Sequence, residues 1–150
     1  MNIKIPPPIY VVLFGVLMWF VARSPFALAV DIPFRKTAAA IIFAAAIAID
    51  VTAIRQFNAS STTINPLKPN KSSALVTQGI YRFTRNPMYV GLLLMLCAWT
   101  IVLGSVSNIL LLAGFVITIT RMQIRPEEEA LRSLFPEEFE EYRRKVRRWA

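Results

Sequence analysis

Four apolar runs constrain this chain more than anything else: Ile9 to Ala22, Thr37 to Ile54, Met88 to Leu103 and Ile109 to Thr120. The connections between them are polar and rich in turn-forming residues. Ser24 to Lys36 carries Pro25 and Pro33, and Arg55 to Thr77 carries Asn65-Pro66 and Lys68-Pro69-Asn70-Lys71. Gly104 to Asn108 reads as a tight turn. With 55% hydrophobic and 17% charged residues, the 150-residue chain is more apolar than a soluble domain of its size needs to be. The pattern predicts an all-α, integral-membrane helical bundle of about four transmembrane helices (9–22, 37–54, 88–103, 109–120). A single membrane domain would fill 1–150, with a cytoplasmic loop over 55–87 and cytoplasmic amphipathic helices over 121–150. Each run is short against the roughly 20 residues a bilayer crossing takes, and flanking tyrosine, serine and threonine lengthen it. The first run is read as a retained span, not a cleaved leader, because a second follows almost at once.

The basic residues set the orientation. Lys4, Arg55, Lys68, Lys71, Arg82, Arg85 and the eight from Arg121 onward fall on one side of a four-span chain. Only Arg23, Arg35 and Lys36 fall on the other. That places both termini in the cytoplasm, in a multi-pass protein of the cell inner membrane. The net charge of +8 flanks apolar spans, so membrane lipids are the expected partner and nucleic acid is not. There is no histidine, and the single cysteine, Cys97, lies inside an apolar run. No disulfide within the chain and no metal site are expected, and an apolar setting makes Cys97 a poor nucleophile. The alanine-rich second run is expected to pack closely on a neighbour. Asp50, about one turn from its end, is an intramembrane carboxylate placed to act, to reach water or to pair with Arg55.

Gly79-Ile80-Tyr81-Arg82-Phe83-Thr84-Arg85-Asn86-Pro87-Met88-Tyr89-Val90-Gly91 puts polar and turn-forming residues where the third apolar run begins. Backbone donors at such a helix start favour an anion. Runs three and four form an expected antiparallel hairpin, which starts and ends on one face. Tyr81–Tyr89 should therefore meet Arg121–Glu128. After Arg121, Leu131, Leu134, Phe135, Phe139, Tyr142, Val146 and Trp149 recur at helical steps, with a break at Pro136. The basic run Arg143 to Arg148 would complement a helix C-terminus and an anionic membrane surface. The pocket so formed offers tyrosine faces, arginines, an amide and carboxylates. S-Adenosylmethionine suits it, with a sulfonium and amine for aromatic faces and carboxylates, a carboxylate for arginine, and ribose hydroxyls for glutamate. A lipid headgroup would satisfy part of the same site. The Gly-rich loop of a soluble-type methyltransferase is missing.

Several linked motifs extend this reading. Leu75-Val76-Thr77-x-Gly79-x-Tyr81 is followed by Arg85-Asn86-Pro87-Met88-Tyr89-x-Gly91 and a hydrophobic hairpin. Then come Glu127-Glu128-x-x-Leu131 and Phe135-Pro136-Glu137-Glu138-Phe139-x-x-Tyr142. In this order they resemble the isoprenylcysteine carboxyl methyltransferase family, and are similar to the membrane phospholipid N-methyltransferases. The resemblance covers roughly Leu75 to Arg148. It implies S-adenosylmethionine as cofactor, held by Ala74, Leu75, Val76, Tyr81, Arg85, Asn86, Pro87, Met88, Tyr89 and Glu127. Arg121, Arg125 and Glu128 are the candidate catalytic residues. The family's Arg-His-Pro is Arg85-Asn86-Pro87 here, and the position of its substrate-contacting arginine is Gln123, between Arg121 and Arg125. The activity implied is methyl transfer to a hydrophobic or membrane-associated acceptor: an isoprenylcysteine-like carboxylate, a lipid amine or a small thiol. A carboxylate or thiolate would need no base, whereas an amine would need one, for which Glu128, Tyr89 and Asp50 are candidates. The alternative is a non-catalytic membrane protein of the same fold, acting as a lipid-binding or assembly subunit. A channel or transporter fits poorly, since the spans hold one ionisable residue, Asp50.

Overall fold

Proline and glycine mark several of the helix boundaries in the computed structural model, which describes residues 5–59 and 75–150. Helix α1 is Pro7–Arg23 and starts on a proline, whose missing N–H costs nothing in a first turn. It ends where the Ser24 hydroxyl donates to the Val21 carbonyl at 2.8 Å. Helix α2, Arg35–Ala59, is longer at both ends than its apolar run. Helix α3, Pro87–Leu103, also starts on a proline and stops at Gly104, which has a left-handed φ of 61°. Helix α4 is Asn108–Ile119.

The structure corrects the expectation that the fourth helix stops at Thr120. A π-helical turn, Thr120–Ile124, carries α4 directly into α5, Arg125–Leu134, so one helix runs from Asn108 to Leu134. Pro126 cannot donate to the carbonyl four residues back and its ring crowds it. The wide turn just before it accommodates this without ending the helix. Helix α6, Pro136–Lys145, follows immediately. Among the described residues the β-structure is one isolated antiparallel bridge, Ala29 to Ser105. Helix α2 and the continuous helix Asn108–Leu134 are long and apolar enough to cross a membrane; α1 and α3 are shorter apolar helices.

The closest contact in the bundle is between α2 and α3. Ala39, Ala46 and Ala53, seven residues apart, are buried along α2 and let the backbones approach. Gly91 of α3 is part of this contact: a Cβ there would lie 2.0 Å from Asp50 Oδ1. On the other side of α3, Met18, Tyr89, Leu96, Phe115, Ile119 and Ile124 form a core, with the Phe14 and Phe115 rings edge to face at 5.5 Å. A second cluster, Ala53, Tyr81, Phe139, Tyr142 and Val146, joins α2 to α6. Large apolar side chains such as Phe20, Ile41 and Leu110 point outward. Apolar side chains facing both ways are what a bundle solvated by lipid requires.

Candidate functional site

The site is assembled where the segment before α3 meets α5 and the chain end. Gly79 takes a left-handed φ of 60° and opens a 3-10 turn, Gly79–Arg82. Gln56 of α2 holds that turn, its Oε1 accepting the Ile80 N–H at 2.9 Å. The Tyr142 hydroxyl holds it from α6, donating to the Tyr81 carbonyl at 2.6 Å. The Tyr81 side chain is thereby buried, and its own hydroxyl has no hydrogen-bond partner among the described residues. Burial, and then the charge of Glu127, push the Tyr81 phenol above its ordinary value, so it stays a protonated donor.

Two glutamates at the start of α5 have different surroundings. Glu127 accepts the Tyr89 hydroxyl at 2.7 Å through Oε1, a short charge-assisted bond across the hairpin. Glu128 lies between two arginines. Arg85 reaches its Oε1 at 2.7 Å through Nη2 and 3.3 Å through Nε. Arg148 reaches Oε2 at 2.6 Å through Nη2 and Oε1 at 3.1 Å through Nε. The Arg85 and Glu128 side chains are only 8% and 13% exposed. Burial alone would raise the Glu128 carboxyl, but hydrogen bonds from Arg148 and Arg85 outweigh it and hold the group below its ordinary value. Glu128 lies beyond the apolar part of its helix.

The same segment grips the end of the chain. Arg85 Nη1 donates to the Val146 carbonyl at 2.6 Å, and the Arg85 backbone N–H to the Arg147 carbonyl at 2.9 Å. The Arg148 carbonyl accepts from the Thr84 hydroxyl at 3.1 Å and from Asn86 Nδ2 at 2.9 Å. Trp149 packs against the Tyr89 core and donates to Thr120 Oγ1 at 3.2 Å. Of the basic run, Arg143, Arg144 and Lys145 fall in the last turn of α6, whereas Arg148 takes part in the site. Helix α6 ends at Lys145 and Val146 is extended, which turns Arg148 inward onto Glu128.

The remaining candidates fall in three places. Leu75, Val76 and Met88 pack on the Tyr81 cluster, and Pro87 is buried at the start of α3. Arg121 and Arg125 are exposed, with no hydrogen bond or ion pair among the described residues. Ala74 lies outside the described residues. Gln123 is buried and donates to the Ile5 carbonyl at 2.7 Å, tying the π-helical turn to the start of α1. Asp50 forms no ion pair with Arg55 or any other described residue, and its Oδ1 is buried without a partner. A cavity of about 440 Å³ opens beside the Tyr81 cluster, lined by Leu75, Thr77, Arg82, Glu138, Tyr142 and Val146. A larger, apolar one of about 540 Å³, between Gly15, Trp19, Phe43 and Trp99, holds none of the candidate polar residues. Sequence reading missed Arg148, Thr84 and Gln56 as parts of the site. The one signal for Arg148 was a strongly basic tail with the Glu127-Glu128 pair upstream and no acid of its own.

Residues 34–138, from the start of α2 to the first turn of α6, match the family described as phospholipid methyltransferase. The chain belongs to the phospholipid methyltransferase family. Over 95 residues it is 35% identical to the protein-S-isoprenylcysteine O-methyltransferase of Schizosaccharomyces pombe. That stretch covers 63% of this chain and 40% of the fission-yeast protein. Over 62 residues it is 45% identical to an uncharacterized protein of Haemophilus influenzae, covering 41% of this chain and 98% of that one. No solved structure matches. The family match takes in Asp50, Tyr81, Tyr89, Glu127 and Glu128, whereas α1 and Arg148 lie outside it.

Proposed function

We propose that this protein is an S-adenosylmethionine-dependent membrane methyltransferase whose acceptor is hydrophobic or membrane-associated. In this reading four helices, α1, α2, α3 and the α4 part of the long helix, cross the bilayer as one membrane domain. Both termini and the Tyr89–Glu127 site lie in the cytoplasm, and the membrane is the cell inner membrane. The observation that carries the reading is the hydrogen bond from Tyr89 to Glu127 beside the buried Tyr81 hydroxyl, which has no partner among the described residues. A buried polar group without a protein partner calls for one from outside the chain, a water or a ligand.

The residues present fit this donor. Glu127 would take its ribose hydroxyls, and Leu75, Val76 and Met88 would give an apolar wall for its ring. The rings of Tyr81 and Tyr89 would face its cationic end. Arg121 and Arg125, exposed and without an ion pair among the described residues, would meet the anionic part of the donor or the acceptor. When bound, the donor supplies an electrophilic methyl group on a sulfonium. The protein's part in such a displacement is alignment and exclusion of water. Arg85, Asn86 and Glu128 serve it by fixing the chain end, so that Trp149 and Arg148 close the side of the site. Asn86, where the family has histidine, acts here through its hydrogen bond to Arg148 and not as a base.

Titration of the detergent-solubilised protein with S-adenosylmethionine in a calorimeter tests the reading. Saturable one-to-one binding is expected. A folded sample that binds none sinks it in favour of a non-catalytic lipid-binding or assembly subunit. The commitment of Asn86 and Gln123 to internal hydrogen bonds favours that second reading. For the topology, a reporter fused after Ala150 is expected on the cytoplasmic side, and a signal from the opposite side contradicts it.

A further inference from the structure

The larger cavity, of about 540 Å³, lies away from the donor site. Trp99, on its wall, is ten residues along α3 from Tyr89, roughly 15 Å of helix rise. Most of the lining comes from α1, which is outside the family match, and the rest from Phe43 of α2 and from α3. Gly15 forms the floor: a Cβ there would meet no atom within 4 Å, so the missing side chain leaves the hollow open. The walls are fixed. Trp99 Nε1 donates to the Gly15 carbonyl at 3.0 Å. Trp19 is held between the Phe20 ring, edge to face at 5.0 Å, and the Arg23 guanidinium, 3.9 Å from the centre of its ring. The lining itself carries no charged side chain, so Arg23, stacked on a wall residue, brings a cation to its edge. Arg23 is exposed and forms no ion pair among the described residues.

An apolar hollow offers water no hydrogen-bond partner, and an empty one forfeits dispersion contacts along its lining. In a bundle solvated by lipid, the group that suits it is a hydrocarbon chain. Arg23 narrows the choice. A guanidinium held against an aromatic ring keeps its charge and its fork of donors, which match a phosphate and favour an anionic head over one with no net charge. We propose that this cavity is a binding site for one anionic phospholipid, with an acyl chain lying over Gly15 between Trp19 and Trp99 and the phosphate on Arg23. A lipid so placed touches α1, α2 and α3 together, and its binding stabilises the folded bundle by mass action. The site is separate from the one that holds Tyr89 and Glu127, and it does not depend on the methyltransferase reading.

Tryptophan fluorescence reads the site, because bromine on an acyl chain quenches an indole that it touches. The delipidated, detergent-solubilised protein is titrated with phosphatidylglycerol or phosphatidylcholine carrying the same brominated chains. The wild type is expected to show saturable quenching of Trp19 and Trp99, over a constant background from Trp149 in the Tyr89 core. The midpoint is expected to be at least ten-fold lower for phosphatidylglycerol, the effect of one charge-assisted hydrogen bond. Arg23→Gln is expected to bring the two midpoints together. Gly15→Leu, whose side chain fills the floor, is expected to abolish the saturable step for both lipids. Equal midpoints in the wild type, a preference that survives in Arg23→Gln, or quenching unchanged in Gly15→Leu overturns the proposal. Should Gly15→Leu lose its cooperative melting transition, Val16→Phe fills the same hollow and is read in the same way. Gly15→Leu is also expected to leave S-adenosylmethionine binding as it is in the wild type. A parallel loss of donor binding in that variant would make the hollow part of the donor site and overturn the assignment of a separate one.

Discussion

Glu127→Ala is expected to weaken S-adenosylmethionine binding by about 10- to 150-fold, the equivalent of losing one hydrogen-bonded charge. Among the described residues this carboxylate is the anionic group that acts on both tyrosines, and Tyr89 fixes its Oε1 at 2.7 Å. Tyr89→Phe keeps the packing of the buried ring and removes only the hydroxyl. It is expected to cost less, roughly 5- to 10-fold, because the glutamate remains but is no longer held. Glu127→Gln separates charge from shape: if the ribose hydroxyls are the partner, the amide oxygen recovers part of the affinity, and the variant falls between the other two. Calorimetry gives all three constants. A Glu127→Ala protein that is folded and binds the donor as well as the wild type removes Glu127 from the site. Melting curves guard against a trivial loss: the variant is expected to melt somewhat lower, because the buried Tyr89 hydroxyl loses its acceptor, and to keep a cooperative transition, since the Tyr89 ring is also anchored by its core.

The helices were legible in the sequence because their segments are long apolar runs, and such runs stand out against Pro- and Gly-rich connections. The sequence also made the hairpin legible, and with it the meeting of Tyr89 with Glu127. It misplaced the end of the fourth helix because hydropathy falls at Arg121, whereas hydrogen bonding continues through a π-helical turn to Leu134. Composition does not report that kind of continuity. The resemblance put Glu127 with the cofactor and Glu128 with catalysis, but residue type and spacing gave no sign of their different partners. The two are adjacent, chemically identical and both in the first turn of α5, yet one faces a phenol and the other two guanidinium groups. The difference comes from Arg148, some twenty residues on, which an extended Val146 redirects. Asn86 and Gln123 were read against a family pattern, and their partners, the carbonyls of Arg148 and Ile5, are backbone atoms distant in the chain. No motif encodes such contacts.

Glu128→Ala is expected to damage the fold more than any nearby change. It leaves Arg85, 8% exposed, and Arg148, 34% exposed, facing each other without their shared carboxylate. Breaking a largely buried pair from one side costs roughly 3 kcal/mol, taken at the lower edge because Arg148 keeps some access to water. For a chain of this length that is a fall of roughly 6–12 °C in the apparent melting temperature. Arg85→Lys is expected to lose much of the same stability with its charge intact. A single ammonium cannot span Glu128 and the Val146 carbonyl as the guanidinium does. The pH dependence distinguishes an ion pair from simple packing. The folded Glu128 carboxyl titrates below its ordinary 4.5. Its contribution is therefore complete above about 4.5 and is lost as the pH falls through the lower, folded value. The wild type and Glu128→Gln should differ most in melting temperature near neutral pH and converge below 4.5. A constant gap between them down to strongly acid pH would show that the carboxylate's charge contributes nothing, and that Arg85 and Arg148 hold the chain end through backbone carbonyls alone.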